Sequence, residues 1–187
     1  MSASCHSKYP EAAIGNLIAD AMKDAVAADI AITNGGGIRA DKEYAAGSDI
    51  TRRDILSELP FGNVTVLTEV TGQQIWEALE NGFSKYEDGA GRFPQVSGLK
   101  VVADVKKPAG ARLVSVMVGE KALDLAATYK LATNDYMLDG GDGYTALKGG
   151  KVTVDARGGK LIANDVMVLL KKLGTVDAKV EGRIVIQ

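Results

Sequence analysis

Along residues 14–25 the apolar side chains fall at Ile14, Leu17, Ile18, Ala21, Met22 and Ala25, three and four positions apart, which predicts an amphipathic helix. Asp29–Thr33 then reads as a short strand that runs straight into the loop Asn34-Gly35-Gly36-Gly37-Ile38-Arg39. Thr51-Arg52-Arg53-Asp54 has the spacing of a capping box and predicts a short helix, stopped by Pro60 because the residue before a proline avoids the helical region. Val64–Val70 alternates as a strand, and Thr71-Gly72-Gln73-Gln74 opens a helix with Ile75, Leu79 and Phe83 on one face. Trp76 belongs to the core side of that helix with Phe83.

The second half is richer in strands. Leu99–Val105 and Arg112–Val118 read as neighbours joined through Lys106–Gly110, and Tyr129–Thr133 as a further strand ending in Asn134-Asp135-Tyr136. A helix over Asn164–Leu173 is closed by Gly174, and Ile184–Ile186 makes a terminal strand. Helices and strands mix without strict βαβ alternation, so the expected class is mixed α/β, with mixed sheets covered by helices. No repeat, low-complexity stretch or linker divides the chain, and residues 11–187 read as one domain.

Composition narrows the chemistry. The 187 residues are 46% apolar and 25% charged, enough for a packed core, and no apolar run reaches the ~18 residues of a membrane span. A net charge of −2 argues against nucleic acid as partner. One cysteine, Cys5, excludes an intrachain disulfide. One histidine, His6, cannot supply a catalytic zinc or a two-metal site, and a serine or cysteine triad would depend on it alone. Both sit in the polar stretch Met1–Lys8, so residues 1–10 read as a disordered tail without catalytic or metal role. That stretch has no basic segment followed by an apolar one, hence no signal peptide in this chain.

Candidate chemistry sits in loops. The glycines of Asn34–Arg39 let backbone approach a ligand closely, and Arg39 offers a fork for phosphate or carboxylate; a sharp strand-exit turn with a solvated arginine fits equally well. In Gly140-Gly141-Asp142-Gly143-Tyr144, Asp142 could accept hydrogen bonds from vicinal hydroxyls, or simply close its own turn. Calcium is disfavoured, since no other acidic residues accompany it in the loop. Phe61, after Pro60, and Tyr136, after a strand, are two of only ten aromatic residues, and each lies in an exit loop where it could stack a base or anchor the loop.

Taken in order, Gly15–Met22, Asn34–Arg39, Leu59–Asn63, Gly91–Gly98 and Asn134–Tyr136 followed by Gly140–Tyr144 closely resemble the C-terminal domain of the 5′-nucleotidase family of periplasmic, secreted and cell-surface enzymes. The likeness covers roughly residues 11 to 186. It implies a layered α/β/β/α domain that grips substrate, while an N-terminal metallophosphoesterase domain holds two divalent metal ions and hydrolyses the phosphate monoester. The implied ligand is a nucleoside or nucleoside monophosphate, carried to the metals by domain rotation. Phe61 and Tyr136 would sandwich the base, Tyr136 standing where a phenylalanine is common. Asp142 would take the ribose hydroxyls, and Asn34 and Arg39 would contact ribose or phosphate, with Gly36 and Gly37 giving close backbone approach. No catalytic residue and no metal ligand is implied in this chain, and the location implied is periplasmic or extracellular.

The sequence departs from the family at two points: Lys8 lies where an arginine often helps bind phosphate, and Ala13 where an asparagine is common. If only the ring matters at position 136, Tyr136→Phe should be nearly silent. Two other readings stand beside the main one. One is a free-standing nucleotide-binding or interaction domain; the other is a relative acting on a non-nucleoside phosphoester, a sugar nucleotide or a sulfur-oxidation substrate.

Overall fold

A helix of 13 residues, α1 (Ala13–Ala25), buries Ile14, Leu17, Ile18, Ala21 and Met22 as their spacing predicts, while Ala25 emerges exposed at its end. The computed structural model describes residues 10–40, 42, 44–45 and 47–187; the expected tail at 1–10, apart from Pro10, lies outside the described residues together with Cys5, His6 and Lys8. Ala12, at the N-terminus of α1, has no side chain that could cap it. Gln95, fully buried on a later strand, does so instead: its Oε1 accepts from the Ala12 amide at 3.0 Å and its amide donates to the Pro10 carbonyl at 3.2 Å. Ala13 therefore costs the helix little, because distant chain supplies the missing partner.

Among the described residues nine strands form two sheets. The first has β1 (Ile30–Asn34), β2 (Thr65–Thr71), β3 (Pro94–Ser97), β7 (Thr128–Asn134) and β8 (Lys151–Val154), in the order β3-β1-β7-β2-β8. In it β1 runs parallel to β7 and antiparallel to β3, and β2 lies antiparallel to both β7 and β8. The second has β4 (Leu99–Ala103), β5 (Leu113–Val118), β6 (Lys121–Ala122) and β9 (Ile184–Ile186), in the order β6-β5-β4-β9, with β4 and β9 parallel. Mixed sheets are what the sequence predicts. β3 and β8 lie outside the predicted strands: both are four-residue edges of the first sheet, β3 beginning with a proline and β8 largely exposed and alternating over too few residues to stand out.

The other α-helices among the described residues are α2 (Arg52–Glu58), α3 (Gly72–Phe83), the single turn α4 (Asp135–Leu138) and α5 (Ile162–Leu173). Both predicted capping boxes close reciprocally, Thr51 with Asp54 and Thr71 with Gln74. α5 starts two residues earlier than its pattern suggests and ends at Gly174, whose φ of +71° suits glycine. β4 stops at Ala103, two residues short of expectation, because Asp104 turns the chain by accepting from the amides of Lys106 and Lys107.

The sheet faces explain the packing. α1, α2 and α5 cover one face of the five-stranded sheet, over the small residues Ala31 and Ala132. Against the other face, Ile30, Ile32 and Leu131 share a core with α3 (Ile75, Leu79, Phe83) and with Val101, Val116 and Ile184 of the second sheet. Trp76 is partly buried against this core. Charged groups pin the layers at their seams. Arg183 makes a bidentate pair with Asp20 at 2.7 and 2.8 Å, and buried Glu11 accepts from Asn16, Glu181 and Ile184. The parallel pairing of β1 and β7 sets up everything that follows, since it brings the carboxyl ends of both strands to one edge.

Candidate functional site

At that edge lie Asn34, the last residue of β1, and Asn134, the last of β7, both buried. The Asn134 amide nitrogen donates to Asn34 Oδ1 at 3.0 Å and to Thr33 Oγ1 at 3.2 Å, while its oxygen caps α4 by accepting from the Met137 amide at 2.8 Å. With its oxygen so engaged, Asn34 turns its own amide toward Asp142 and donates to Oδ2 at 2.8 Å. The other carboxylate oxygen, Oδ1, accepts from the Tyr136 hydroxyl at 3.0 Å. An ionised carboxylate has about four acceptor sites. Asp142 therefore keeps room for two further donors.

Asp142 sits in the left-handed region, with φ of +53°. Asn81 supports it from behind, donating to its carbonyl at 3.1 Å, and Arg92 in turn donates to Asn81 Oδ1 and Ser84 Oγ. Tyr144 is wholly buried beneath the loop, its hydroxyl donating to the Arg92 carbonyl at 2.6 Å; burial pushes its phenol far above the usual range. Burial, and then the Asp142 carboxylate beside it, also raise the Tyr136 phenol, which stays a proton donor at neutral pH.

The glycine loop after β1 meets a second loop from the other side. Gly36 donates to the Gly91 carbonyl at 2.7 Å, and a Cβ on Gly36 would lie 2.9 Å from Gly91 Cα. Backbone presses on backbone there, so only glycine fits. Gly37 is different, with only Asn34 Oδ1 near at 3.6 Å. Arg39 is exposed, and its guanidinium lies 5.6 Å from the centre of the Phe61 ring.

All seven residues singled out in the sequence, Asn34, Gly36, Gly37, Arg39, Phe61, Tyr136 and Asp142, line one cleft of about 390 Å³, together with Asn63 and Gly91. Both rings stand open, Phe61 at 62% and Tyr136 at 46% exposure, so neither is a core anchor. Asn63, Gly91 and the buried Asn134 had no assigned role in the sequence reading. An asparagine just before a short helical turn is a capping signal that marks Asn134; Asn63 and Gly91 carry no local signal. Apolar ring faces, a carboxylate with spare acceptors and a guanidinium suit a ligand that combines a flat ring, hydroxyls and negative charge. Among the described residues no group of three or more His, Cys, Asp or Glu side chains converges as a metal site, and no helix is long and apolar enough to cross a membrane.

Comparison with known proteins shows which family the chain falls in. Residues 1–149 match the family described as 5′-nucleotidase, C-terminal domain. The trifunctional nucleotide phosphoesterase protein YfkN of Bacillus subtilis is 42% identical over 96% of the chain, and the snake venom 5′-nucleotidase of Gloydius brevicauda 32% identical over 95%. The crystal structure of a 5′-nucleotidase precursor from Thermus thermophilus superposes on 99% of the chain with a TM-score of 0.89 and 39% identity. The chain spans 13% of the Bacillus protein, 33% of the venom enzyme and 38% of the Thermus chain. On this evidence the chain belongs to the 5′-nucleotidase family and corresponds to its C-terminal domain.

Proposed function

We propose that the cleft binds the nucleoside part of a nucleotide and that the chain serves as the substrate-gripping domain of a 5′-nucleotidase-type phosphomonoester hydrolase. The observation that carries this reading is the meeting of two exposed rings, an aspartate with free acceptor sites and an exposed arginine around one cleft. The base lies between Phe61 and Tyr136, the ribose hydroxyls donate to Asp142, and Arg39 faces the phosphate. Asn34 acts on the ribose side through the orientation of Asp142, and Gly37 lets backbone come near the ligand. The cleft volume falls in the range common for small-molecule sites.

Bond cleavage belongs in this reading to a dinuclear metal site on an N-terminal metallophosphoesterase domain of the parent protein; the present chain supplies binding and orientation. Its work is extracytoplasmic, in the periplasm or outside the cell, as the likeness to a snake venom enzyme favours. Calorimetric titration with adenosine, AMP and adenine tests the reading. Adenosine and AMP should bind, and Asp142→Ala should weaken adenosine far more than adenine, since bonds to a charged acceptor contribute about 1.5–3 kcal/mol each. No binding of either nucleoside or nucleotide, or equal loss for adenosine and adenine, would overturn it.

A further inference from the structure

The phenol of Tyr136 does more than carry a ring. Its oxygen accepts from the Asp142 amide at 3.2 Å and donates to Asp142 Oδ1 at 3.0 Å, so it holds that residue at two points. The direction of both bonds is fixed by chemistry: the amide can only donate and the carboxylate can only accept. Such holding favours Asp142, because a left-handed backbone still costs a residue with a side chain, even aspartate, which bears it better than most. The remaining supports are Asn34 on Oδ2 and Asn81 on the carbonyl. Neither reaches the amide or Oδ1. A phenylalanine, common at this place in the family the sequence resembles, would leave both to solvent.

The clasp works in the other direction as well. A Cβ on Gly141 would fall 2.5 Å from three carbons of the Tyr136 ring, so the ring lies flat against the glycine backbone. Tethered at its hydroxyl and backed by Gly141, the ring has one orientation to offer a stacking partner.

We infer that the Tyr136 hydroxyl is a positioning group: it sets the Asp142 carboxylate and the Tyr136 ring in one fixed relation, so that the cleft favours ligands presenting a base and hydroxyls together. This rests on the nucleoside reading above, and it revises the expectation that Tyr136→Phe is silent. Asn34, oriented by Asn134, completes the hold on the second oxygen.

The test is a double-mutant cycle on the intact chain with Tyr136→Phe, Asp142→Ala and the pair, titrated with adenosine and with 2′,3′-dideoxyadenosine. Tyr136→Phe should weaken adenosine about five- to tenfold, as for a lost bond to a charged group, and the dideoxy compound less than about twofold. On the Asp142→Ala background the same change should move adenosine less than about twofold, because the two residues act as one unit. Asp142→Asn, which tolerates the same backbone, replaces Asp142→Ala if that variant does not fold. Equal loss with both ligands, no loss, or additivity in the cycle would overturn the inference while leaving the nucleoside reading intact if Asp142→Ala alone remains selective. Amide hydrogen exchange in the ligand-free chain gives a readout independent of any ligand. Tyr136→Phe should speed exchange at Asp142, and unchanged exchange there would overturn the positioning role even if no nucleoside binds.

Discussion

Asn63 donates from its side-chain amide to Asp135 Oδ1 at 3.0 Å, and so fastens the loop that carries Phe61 to the segment that carries Tyr136. The same oxygen accepts from the Val64 amide at 3.2 Å, at the entry to β2. The clasp lies two residues from Phe61 and one from Tyr136, and adds a side-chain tie to the pairing of Thr65 with Asn134.

Breaking that clasp should loosen the cleft. Asp135→Ala is expected to weaken adenosine several-fold and to cost about 1–3 kcal/mol of stability, since the partner donors lose a charged acceptor. Asp135→Asn, which keeps one acceptor oxygen, should recover part of both. Titration and thermal melting on the two variants check this; identical affinity for Asp135→Ala and the parent would show that ring spacing is set elsewhere.

The two central glycines should separate by cause. Gly36→Ala drives a methyl into the backbone of Gly91 and is expected to cost about 1–3 kcal/mol, the usual range for overpacking. Gly37→Ala meets only an ordinary contact, so its melting temperature should hold while nucleoside affinity falls, if that backbone faces the ligand. Melting curves that drop equally for both would remove the distinction.

Phe61 offers a clean test of stacking. At 62% exposure its removal should hardly change the melting temperature, whereas loss of a stacked base costs about 1–3 kcal/mol of binding. Tyr136→Ala should lose affinity likewise, with an added fall in melting temperature because its two bonds to Asp142 go with the ring. A large fall in melting temperature with unaltered affinity would return both rings to a structural role.

Asp165 predicts a pH dependence of stability. Burial raises its carboxyl above the usual range, against the opposing bond from Thr65 Oγ1 at 2.6 Å. A carboxyl whose folded pKa lies above its unfolded value holds its proton longer in the native state. Its contribution is therefore full below the unfolded pKa and is lost as pH rises through the folded one. Asp165→Asn should accordingly stabilise the chain at neutral pH, with the advantage shrinking toward pH 4. A denaturation series across that window checks the sign; an advantage that grows as pH falls would reverse it.

Much of this protein is legible locally. The periodicity of α1, the boxes at Thr51 and Thr71 and the stop at Gly174 each depend on residues three or four apart, so the chain specifies them wherever they fold. The loop residues of the cleft stand out in the sequence too, but turns and loop anchors explain them equally well until the fold brings them to one cleft. What the sequence could not announce is the partner of each group. Gln95 caps α1 through Ala12, 83 residues earlier, and Asn34 is oriented by an asparagine 100 residues on. The four-residue edge strands β3 and β8 are defined by the hydrogen bonds the sheet offers them, being too short for a pattern of their own to mark them. The hydroxyl of Tyr136 looked dispensable until the Gly140–Gly143 turn brought Asp142 beneath it. Local hydrogen bonds follow from spacing along the chain, whereas these follow from which strands pair and in what register, and that choice is made by burial across the whole core.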